Sequence, residues 1–299
     1  MKKNPNRIAD GQTSAAWLLS APSLLIIIVF MLIPFVMAIV YSFTNKMLVA
    51  NPNNPLRFVG FNNYLKVFTN DTSLQAFGNT AYFALLFVPF TVALSLLLAV
   101  FVNKAIKGIG FIRLIYFSPQ VVSMTVVAVI WAFIFSPSED GLLNSILASF
   151  GIEGKLWLKD PDMAMYGIAI MSIWQAIGMQ MIIILGGLQY IPEEIYEAAK
   201  VDGAKRWQVF MKITIPMLKN TLNFVIITNT IAALKLFTQV YMLTDGGPQN
   251  STNTVVLFMY NIGFSRNQIG YSSAMAVVFF VIVLIISLIQ NKVITKGDK

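Results

Sequence analysis

Residues 191–216 read IPEEIYEAAKVDGAKRWQVFMKITIP, a polar stretch between two long apolar runs. The stretch is too polar to cross a membrane and too regularly patterned for an irregular loop. Pro192 suits the first position of a helix, and Glu193 and Glu194 suit the positive end of its dipole. Gly203 predicts the end of this helix, because glycine readily adopts left-handed backbone angles. We therefore predict a helix-turn-helix that lies at a membrane surface.

Three roles fit this segment on physical grounds alone. It can be an amphipathic surface anchor, a structural connector between membrane spans, or a docking element for a soluble partner. A charged helix face is often simply solvated, so the residues by themselves do not decide among the three.

The composition places the chain in a lipid bilayer. Of 299 residues, 57% are hydrophobic and 11% are charged, against about 25% charged in an ordinary soluble domain. There is no cysteine and no histidine, which excludes thiol nucleophiles, disulfides, Cys/His metal sites and the commonest general base. The net charge of +8 comes from residues scattered between apolar runs, so we expect no nucleic-acid partner.

Six stretches are long and apolar enough to cross the hydrocarbon core as helices, which needs about 20 residues each. They cover approximately residues 15–43, 80–102, 114–135, 164–188, 222–243 and 271–291. The first is longer than the core of a signal peptide, so we expect it to be retained. The sequence therefore predicts an all-α polytopic membrane protein that forms one membrane domain over residues 1–299.

The orientation follows from counting Lys and Arg in alternate connections. One set of connections, including both terminal segments, holds 14 of these residues, whereas the other set holds six. The larger set comprises Lys2, Lys3, Arg7, Lys104, Lys107, Arg113, Lys200, Lys205, Arg206, Lys212, Lys219, Lys292, Lys296 and Lys299. By the positive-inside rule we expect both termini in the cytoplasm. The connection after the third span is rich in acidic residues, including Glu139 and Asp140, and is expected outside.

Several fixed positions in the 191–216 segment resemble the EAA motif of ABC importer permeases. Glu197-Ala198-Ala199 is followed after three residues by Gly203 and after nine more by Ile213-Thr-Ile-Pro216. Ile215 stands where leucine is commoner. In that family this short helix is the coupling helix, which sits in a groove of the ATP-binding subunit. The resemblance implies a set of coupling residues: Glu197, Ala198, Ala199, Asp202, Gly203, Ile213 and Pro216.

Two further stretches are similar to carbohydrate-type permeases. The first is FVGFNNY at 58–64 with Asn79-Thr80, and the second is YMLTDGGP at 241–248. The second is followed by matching positions at Thr252, Thr254, Tyr260, Gly263-Phe264 and Gly270-Tyr271. Together they resemble the first of the two membrane subunits of maltose and glycerol-phosphate permeases. The resemblance covers about residues 15–290 and implies a type I ABC importer permease fold with six transmembrane helices and a sugar or oligosaccharide as solute.

The energy for import must come from another chain, because the sequence contains no G-x-x-x-x-G-K-[ST] phosphate-binding motif. The resemblance implies two ATP-binding subunits that carry ATP and Mg, a second permease subunit in a heterodimer, and an extracytoplasmic solute-binding protein. It also implies ATP-driven alternating access in a bacterial cytoplasmic (inner) membrane. On this chain itself we expect no catalytic residue, no metal and no cofactor.

Polar and aromatic residues at mid-membrane depth are candidates for the solute pathway. Amides and hydroxyls suit sugar hydroxyls, and Trp174 can stack on a pyranose face. The candidates are Ser172, Trp174, Gln175 and Met179 in the fourth span and Asn229, Ala233, Lys235 and Leu236 in the fifth. The polar residues fit hydrogen bonding between helices equally well. Lys235 can meet an anionic group on the solute, pair with a helix terminus or partner subunit, or extend to the interface.

Three alternatives compete with a sugar importer. The closest is an ABC permease for a non-sugar solute, since the 191–216 segment identifies the type of transporter and not the solute that it carries. An ion-coupled secondary transporter has similar topology, but no Asp or Glu lies inside any predicted span. A membrane-embedded enzyme lacks a catalytic constellation, because only scattered carboxylates remain without His or Cys.

Overall fold

The computed structural model describes residues 5–103, 108–138 and 141–295. Within these ranges the regular structure is helical, with two isolated backbone bridges that join Thr44 to Phe58 and Asn51 to Asn54. Some charged residues used to predict orientation lie outside the described residues. They are Lys2, Lys3, Lys104, Lys107, Glu139, Asp140, Lys296 and Lys299.

The described residues form fifteen α-helices and three π-helical turns. The first eight helices and one turn are α1 (Pro5–Ile27), a π turn (Ile28–Leu32), α2 (Ile33–Ser42), α3 (Asn62–Thr69), α4 (Asp71–Val102), α5 (Ile109–Val121), α6 (Met124–Ile134), α7 (Leu142–Ser149) and α8 (Ala164–Gln189). The remainder are α9 (Glu193–Val201), α10 (Arg206–Val209), a π turn (Phe210–Thr214), α11 (Ile215–Met217), α12 (Lys219–Leu234), α13 (Thr238–Leu243), α14 (Val255–Tyr260), a π turn (Asn261–Ser265) and α15 (Ile269–Thr295).

The chain divides into two compact units. Unit 1 comprises the described residues up to Phe68 together with Met259–Val278, and unit 2 comprises Thr69–Phe258 and the described residues from Phe279. In unit 1, the buried amide of Asn63 donates to the carbonyl of Ser42 at 2.8 Å and to that of Thr44 at 2.8 Å. These bonds fasten α3 to the backbone where α2 ends.

In unit 2, α4 packs along α8, and the buried face of α4 consists mainly of Ser, Thr and Ala. Its buried residues recur every three or four positions: Ser73, Ala76, Thr80, Phe83, Phe87, Thr91, Ser95, Ala99 and Val102. Small side chains allow close backbone approach, which drives helix association in lipid where the hydrophobic effect is weak. The hydroxyl of Ser95 donates across this contact to the carbonyl of Ile177 at 3.1 Å.

Gly178 lies where α8 approaches the backbone of α5 closely. A Cβ at this position would lie 1.9 Å from the carbonyl oxygen of Tyr116. Only glycine therefore permits this packing, which holds the bent helix pair against the centre of unit 2.

Four continuous helical stretches in the described residues are long and apolar enough to cross a membrane. They are Ala15–Ser42, Asp71–Val102, Ala164–Gln189 and Ile269–Lys292. These stretches coincide with the first, second, fourth and sixth predicted spans, although the second begins earlier than predicted.

The third and fifth predicted spans are interrupted. Helices α5 and α6 pass the same test together but meet at an angle of 99°. The segment predicted as the fifth span is divided at Lys235 into α12, with 16 residues, and α13, with six. The described structure thus shows four continuous spans and one bent pair where six spans are predicted.

Candidate functional site

Helix α9 begins and ends where the sequence predicts. Pro192 precedes the first helical residue, and Glu193 and Glu194 occupy the first turn. At the other end Gly203 has a φ of +71°, its N–H donates to the carbonyl of Lys200 at 3.2 Å, and the N–H of Ala204 donates to that of Ala199 at 3.0 Å. This pair of bonds is a Schellman motif, which stops the helix and reverses the chain.

One side of α9 is fastened to the membrane helices of unit 2. Ala199 is buried, and the ring of Tyr196 packs on an apolar cluster that includes Leu188, Ile191 and Leu218. The Tyr196 hydroxyl also lies 3.4 Å from the hydroxyl oxygen of Thr214. The cluster draws side chains from α4, α8 and α12, so Tyr196 packs where side chains of the three helices meet.

The opposite side of α9 is open. Glu197, Ala198, Asp202 and Gly203 are exposed, whereas Ala199 alone among the predicted coupling residues is buried. Val201, on the same open side, is 88% exposed.

The rest of the segment returns the chain to the membrane. The backbone N–H of Lys205 donates to the side chain of Gln208 at 2.8 Å, which starts α10. A π turn follows, in which the predicted coupling residue Ile213 is half-buried, and Pro216 is exposed in α11. Leu218, which is fully buried, then anchors the start of α12.

Three of the predicted pathway residues are buried and use their donors on backbone carbonyls. Ser172 donates to Ile168 at 2.7 Å and Asn229 donates to Val225 at 2.7 Å, each within its own helix. The amide of Gln175 donates to the carbonyl of Val122 at 3.2 Å. Val122 lies between α5 and α6, so Gln175 satisfies a backbone group at the bend.

The two apolar members of the fifth-span set, Ala233 and Leu236, are also buried. They belong to a cluster with Phe83 and Phe87 of α4 and Ile168 of α8. Their contacts hold the end of α12 against the centre of unit 2.

The remaining predicted pathway residues are accessible. Trp174 is 44% exposed and its ring meets that of Trp131 edge-on, with centroids 5.6 Å apart. Met179 is 40% exposed on the same helix, and Lys235 is exposed where α12 ends. The structure therefore does not gather the eight predicted residues at one surface.

A network of hydrogen bonds around residues 244–255 is not predicted from the sequence. The hydroxyl of Thr254 donates to the carbonyl of Leu236 at 2.9 Å, at the break between α12 and α13. The amide of Asn79 donates to the carbonyls of Asn250 and Asn253 at 2.7 and 3.0 Å, and the hydroxyl of Thr80 accepts from the N–H of Val255 at 3.0 Å. In the sequence, Asn79, Thr80 and Thr254 are only points of resemblance, because the sequence does not show which backbone groups they reach.

The model of one protein family matches residues 74–296. Its description is "Binding-protein-dependent transport system inner membrane component". The chain belongs to this family. It is therefore a membrane permease subunit of a transport system, and the family is not one of catalytic enzymes.

Relatives and solved structures agree with this assignment. The lactose transport system permease protein LacF of Rhizobium radiobacter is 38% identical over 279 residues, which cover 92% of this permease and 91% of LacF. The multiple sugar-binding transport system permease protein MsmF of Streptococcus mutans is 34% identical, with 94% and 96% covered. A chain of a bacterial ABC transporter involved in the import of the acidic polysaccharide alginate superposes with a TM-score of 0.83 at 24% identity, covering 97% of this permease and 99% of that chain. The type I ABC permease fold of the chain follows from this likeness.

Proposed function

We propose that this permease imports a sugar or an oligosaccharide as one membrane half of an ATP-driven transporter. Its relatives LacF and MsmF, named for lactose and for multiple sugars, support this solute class over their nearly full lengths. The observation that carries the mechanism is helix α9, which packs Tyr196 on an apolar cluster of membrane-helix side chains on one side and is open on the other.

The open side of α9 fits a groove on an ATP-binding subunit. Glu197, Ala198, Asp202 and Gly203 form the docking surface, while Ala199 faces the membrane helices. Because this chain has no phosphate-binding motif, ATP and Mg bind to two separate ATPase subunits. A second permease subunit completes the pore, and an extracytoplasmic binding protein delivers the solute.

In this mechanism ATP binding moves the ATPase subunits and their attached coupling helices. Tyr196 and Ile191 transmit the movement to α4, α8 and α12 through the apolar cluster around Leu218. The membrane helices then rock between an outward-facing and an inward-facing arrangement. Closely packed helices shift as rigid bodies in such transitions, so a small displacement at α9 suffices.

The proposed topology has six membrane crossings with both termini in the cytoplasm of the bacterial cell. The bent pair α5–α6 and the interrupted pair α12–α13 each make one crossing. Non-helical backbone at membrane depth is tolerated where protein covers it. Such cover is available from Gln175 at the first interruption and from Thr254 at the second.

Among the predicted pathway residues, Trp174 is the proposed solute contact. Its accessible ring beside Trp131 suits stacking on a sugar ring, and Met179 and Lys235 stay candidates because they are also accessible. Ser172, Gln175 and Asn229 shape the pathway by holding backbone groups in this conformation.

Uptake by the reconstituted complex tests the proposal. Proteoliposomes that contain this chain with its partner subunits should accumulate a radiolabelled sugar only when ATP and the binding protein are present. Glu197→Lys reverses a charge on the open side of α9 and should lower ATP-driven uptake at least about tenfold, since docking at an interface is sensitive to like charges. Glu153→Lys makes the same charge change at an exposed site in the loop after α7 and should leave uptake unchanged.

Three results would contradict the proposal in whole or in part. Uptake driven by an ion gradient without ATP would show a secondary transporter. Undiminished ATP-driven uptake by the Glu197→Lys variant would show that α9 is only a connector. Competition by unlabelled amino acids but not by sugars would reject the solute class while leaving the ATP-driven mechanism intact.

A further inference from the structure

Unit 1 contains a basic pocket of about 270 Å³ between the segment after α2 and the segment before α15. Three cationic side chains line it, those of Lys46, Lys66 and Arg266. Amide and phenol groups, including those of Asn267 and Tyr271, complete the lining. The three cationic side chains offer several hydrogen-bond donors to one small group.

The frame of the basic pocket is held by hydrogen bonds within unit 1. The side chain of Asn267 accepts from the N–H of Val49 at 2.7 Å and donates to its carbonyl at 3.1 Å. The N–H of Gly270 donates to the carbonyl of Lys46 at 2.9 Å, and the hydroxyl of Tyr271 donates to that of Lys66 at 3.2 Å. The three cations are therefore carried by a backbone that is fixed from both sides.

The charge of the basic pocket is not balanced within its own segments. No Asp or Glu occurs in residues 11–68 or 259–278. Lys46 contacts the ring of Tyr41 instead, with its Nζ 5.6 Å from the ring centroid. Three cations around one cavity repel each other, so an anion entering from outside would be bound favourably.

The position of the basic pocket indicates which kind of anion it binds. One membrane-length helix ends at Ser42 and another begins at Ile269, so the pocket lies at the depth of lipid headgroups. The helix Ala15–Ser42 has none of its most apolar window buried within the chain. Phe58 and Phe61, on the segment that follows it, are 78% and 69% exposed. A cationic pocket flanked by open apolar surface suits a molecule with both an anionic head and a hydrocarbon tail.

We propose that the basic pocket binds the phosphate headgroup of an anionic phospholipid. The phosphate oxygens accept hydrogen bonds from Lys46, Lys66 and Arg266, and the acyl chains lie along the uncovered helix that ends at Ser42. The assignment of the pocket to the outer leaflet rests on the proposed function, because it follows from the proposed topology. The binding itself does not depend on it.

Native mass spectrometry of the full chain in detergent tests the proposal. The probes are phosphatidylglycerol, which is anionic, and phosphatidylcholine, which is zwitterionic. We expect the unmodified chain to retain phosphatidylglycerol in preference to phosphatidylcholine. Combined substitution Lys46→Gln, Lys66→Gln and Arg266→Gln should weaken phosphatidylglycerol retention about tenfold or more, since each cation near a lipid surface contributes to anion affinity.

A matched control has the same change in charge. Arg57→Gln, Lys155→Gln and Lys159→Gln remove three cations from the same proposed side of the membrane, all outside the basic pocket, and should leave retention unchanged. Lys66 and Arg266 are exposed, so the pair Lys66→Gln and Arg266→Gln gives a milder variant if the triple variant fails to fold. Its retention should fall by a smaller factor.

Three results would overturn the proposal. Equal retention by the pocket and control variants would show that the binding is not located in the basic pocket. Complete displacement of the lipid by millimolar glycerol phosphate would assign the pocket to a soluble anion. If the triple variant of the basic pocket retains lipid as before, but its complex loses the stimulation of ATP hydrolysis by the solute-binding protein, the basic pocket would be assigned to carboxylates of the solute-binding protein. Because lipid retention is measured on this chain without the ATPase subunits, a failed transport assay would not alter that result.

Discussion

The side chain of Gln175 is 6% exposed, and its amide donates to the carbonyl of Val122 at 3.2 Å. That carbonyl belongs to the non-helical backbone between α5 and α6, so no regular helical N–H is in place to pair with it. A buried carbonyl without a donor raises the free energy of the folded chain. The main role of the Gln175 amide is therefore to stabilise the bend between α5 and α6.

Gln175→Leu should therefore lower stability more than it alters solute affinity. Loss of the donor should reduce the free energy of unfolding by about 1–3 kcal/mol. Thermal unfolding in detergent measures this, and Gln189→Leu, at an exposed position on the same helix, is the control with no expected loss. An unchanged melting temperature together with a raised KM for uptake would instead make Gln175 a solute ligand.

At the scale of elements, the interruption between α12 and α13 depends on a residue from a later loop. Thr254 is fully buried, and its hydroxyl donates to the carbonyl of Leu236 at 2.9 Å. Leu236 itself is 2% exposed, so water does not reach this part of the backbone. The break is thus stabilised from outside the helix in which it occurs.

Thr254→Val should loosen this break while preserving side-chain shape. We expect a loss of about 1 kcal/mol in the free energy of unfolding, because one buried carbonyl loses its donor. Thr228→Val is the matched control, since the hydroxyl of Thr228 bonds only to carbonyls of its own helix, at Phe224 and Val225. Thermal unfolding of both variants decides the matter, and equal melting temperatures would mean that the Thr254 bond contributes nothing.

The same two interruptions explain how far the sequence could predict this fold. Apolar runs locate the four continuous spans, and Gly203 with the acidic first turn locates α9, because these signals are local. The bends at Val122 and Lys235 depend on Gln175 and Thr254, whose partners are distant in sequence. Periodicity cannot show such pairings, so both regions read as continuous spans.

In the candidate site, too, the features set by local sequence were predictable and those set by distant contacts were not. The bounds of α9 and its glycine end follow from local chemistry and are confirmed by the positive φ of Gly203. The inward face of α9 was not predictable, because it is decided by the cluster around Leu218. Ala198 and Ala199 are adjacent and chemically identical, yet Ala198 is exposed and Ala199 is buried.

At the scale of the whole molecule, the absence of cysteine from the sequence makes the proposed topology directly measurable. A single introduced cysteine is then the only site that a membrane-impermeant maleimide can label. Exposed positions are available between membrane helices at Asn53, Ser149, Val201 and Ser265, and at Lys292, where the last membrane-length stretch ends. Each can be replaced with little cost to folding, because surface substitutions usually change stability by less than about 0.5 kcal/mol.

Six crossings with cytoplasmic termini predict an alternating pattern of labelling in intact spheroplasts. Cysteine at Asn53, Ser149 or Ser265 should react from outside, whereas cysteine at Val201 or Lys292 should react only after the membrane is permeabilised. Val201 and Ser265 are the decisive pair, because the interrupted helices α12 and α13 lie between them. If neither position is labelled before the membrane is permeabilised, α12 and α13 form a re-entrant element instead of a span. The C-terminal end of α15 would then lie outside the cell, and the proposed topology would be rejected.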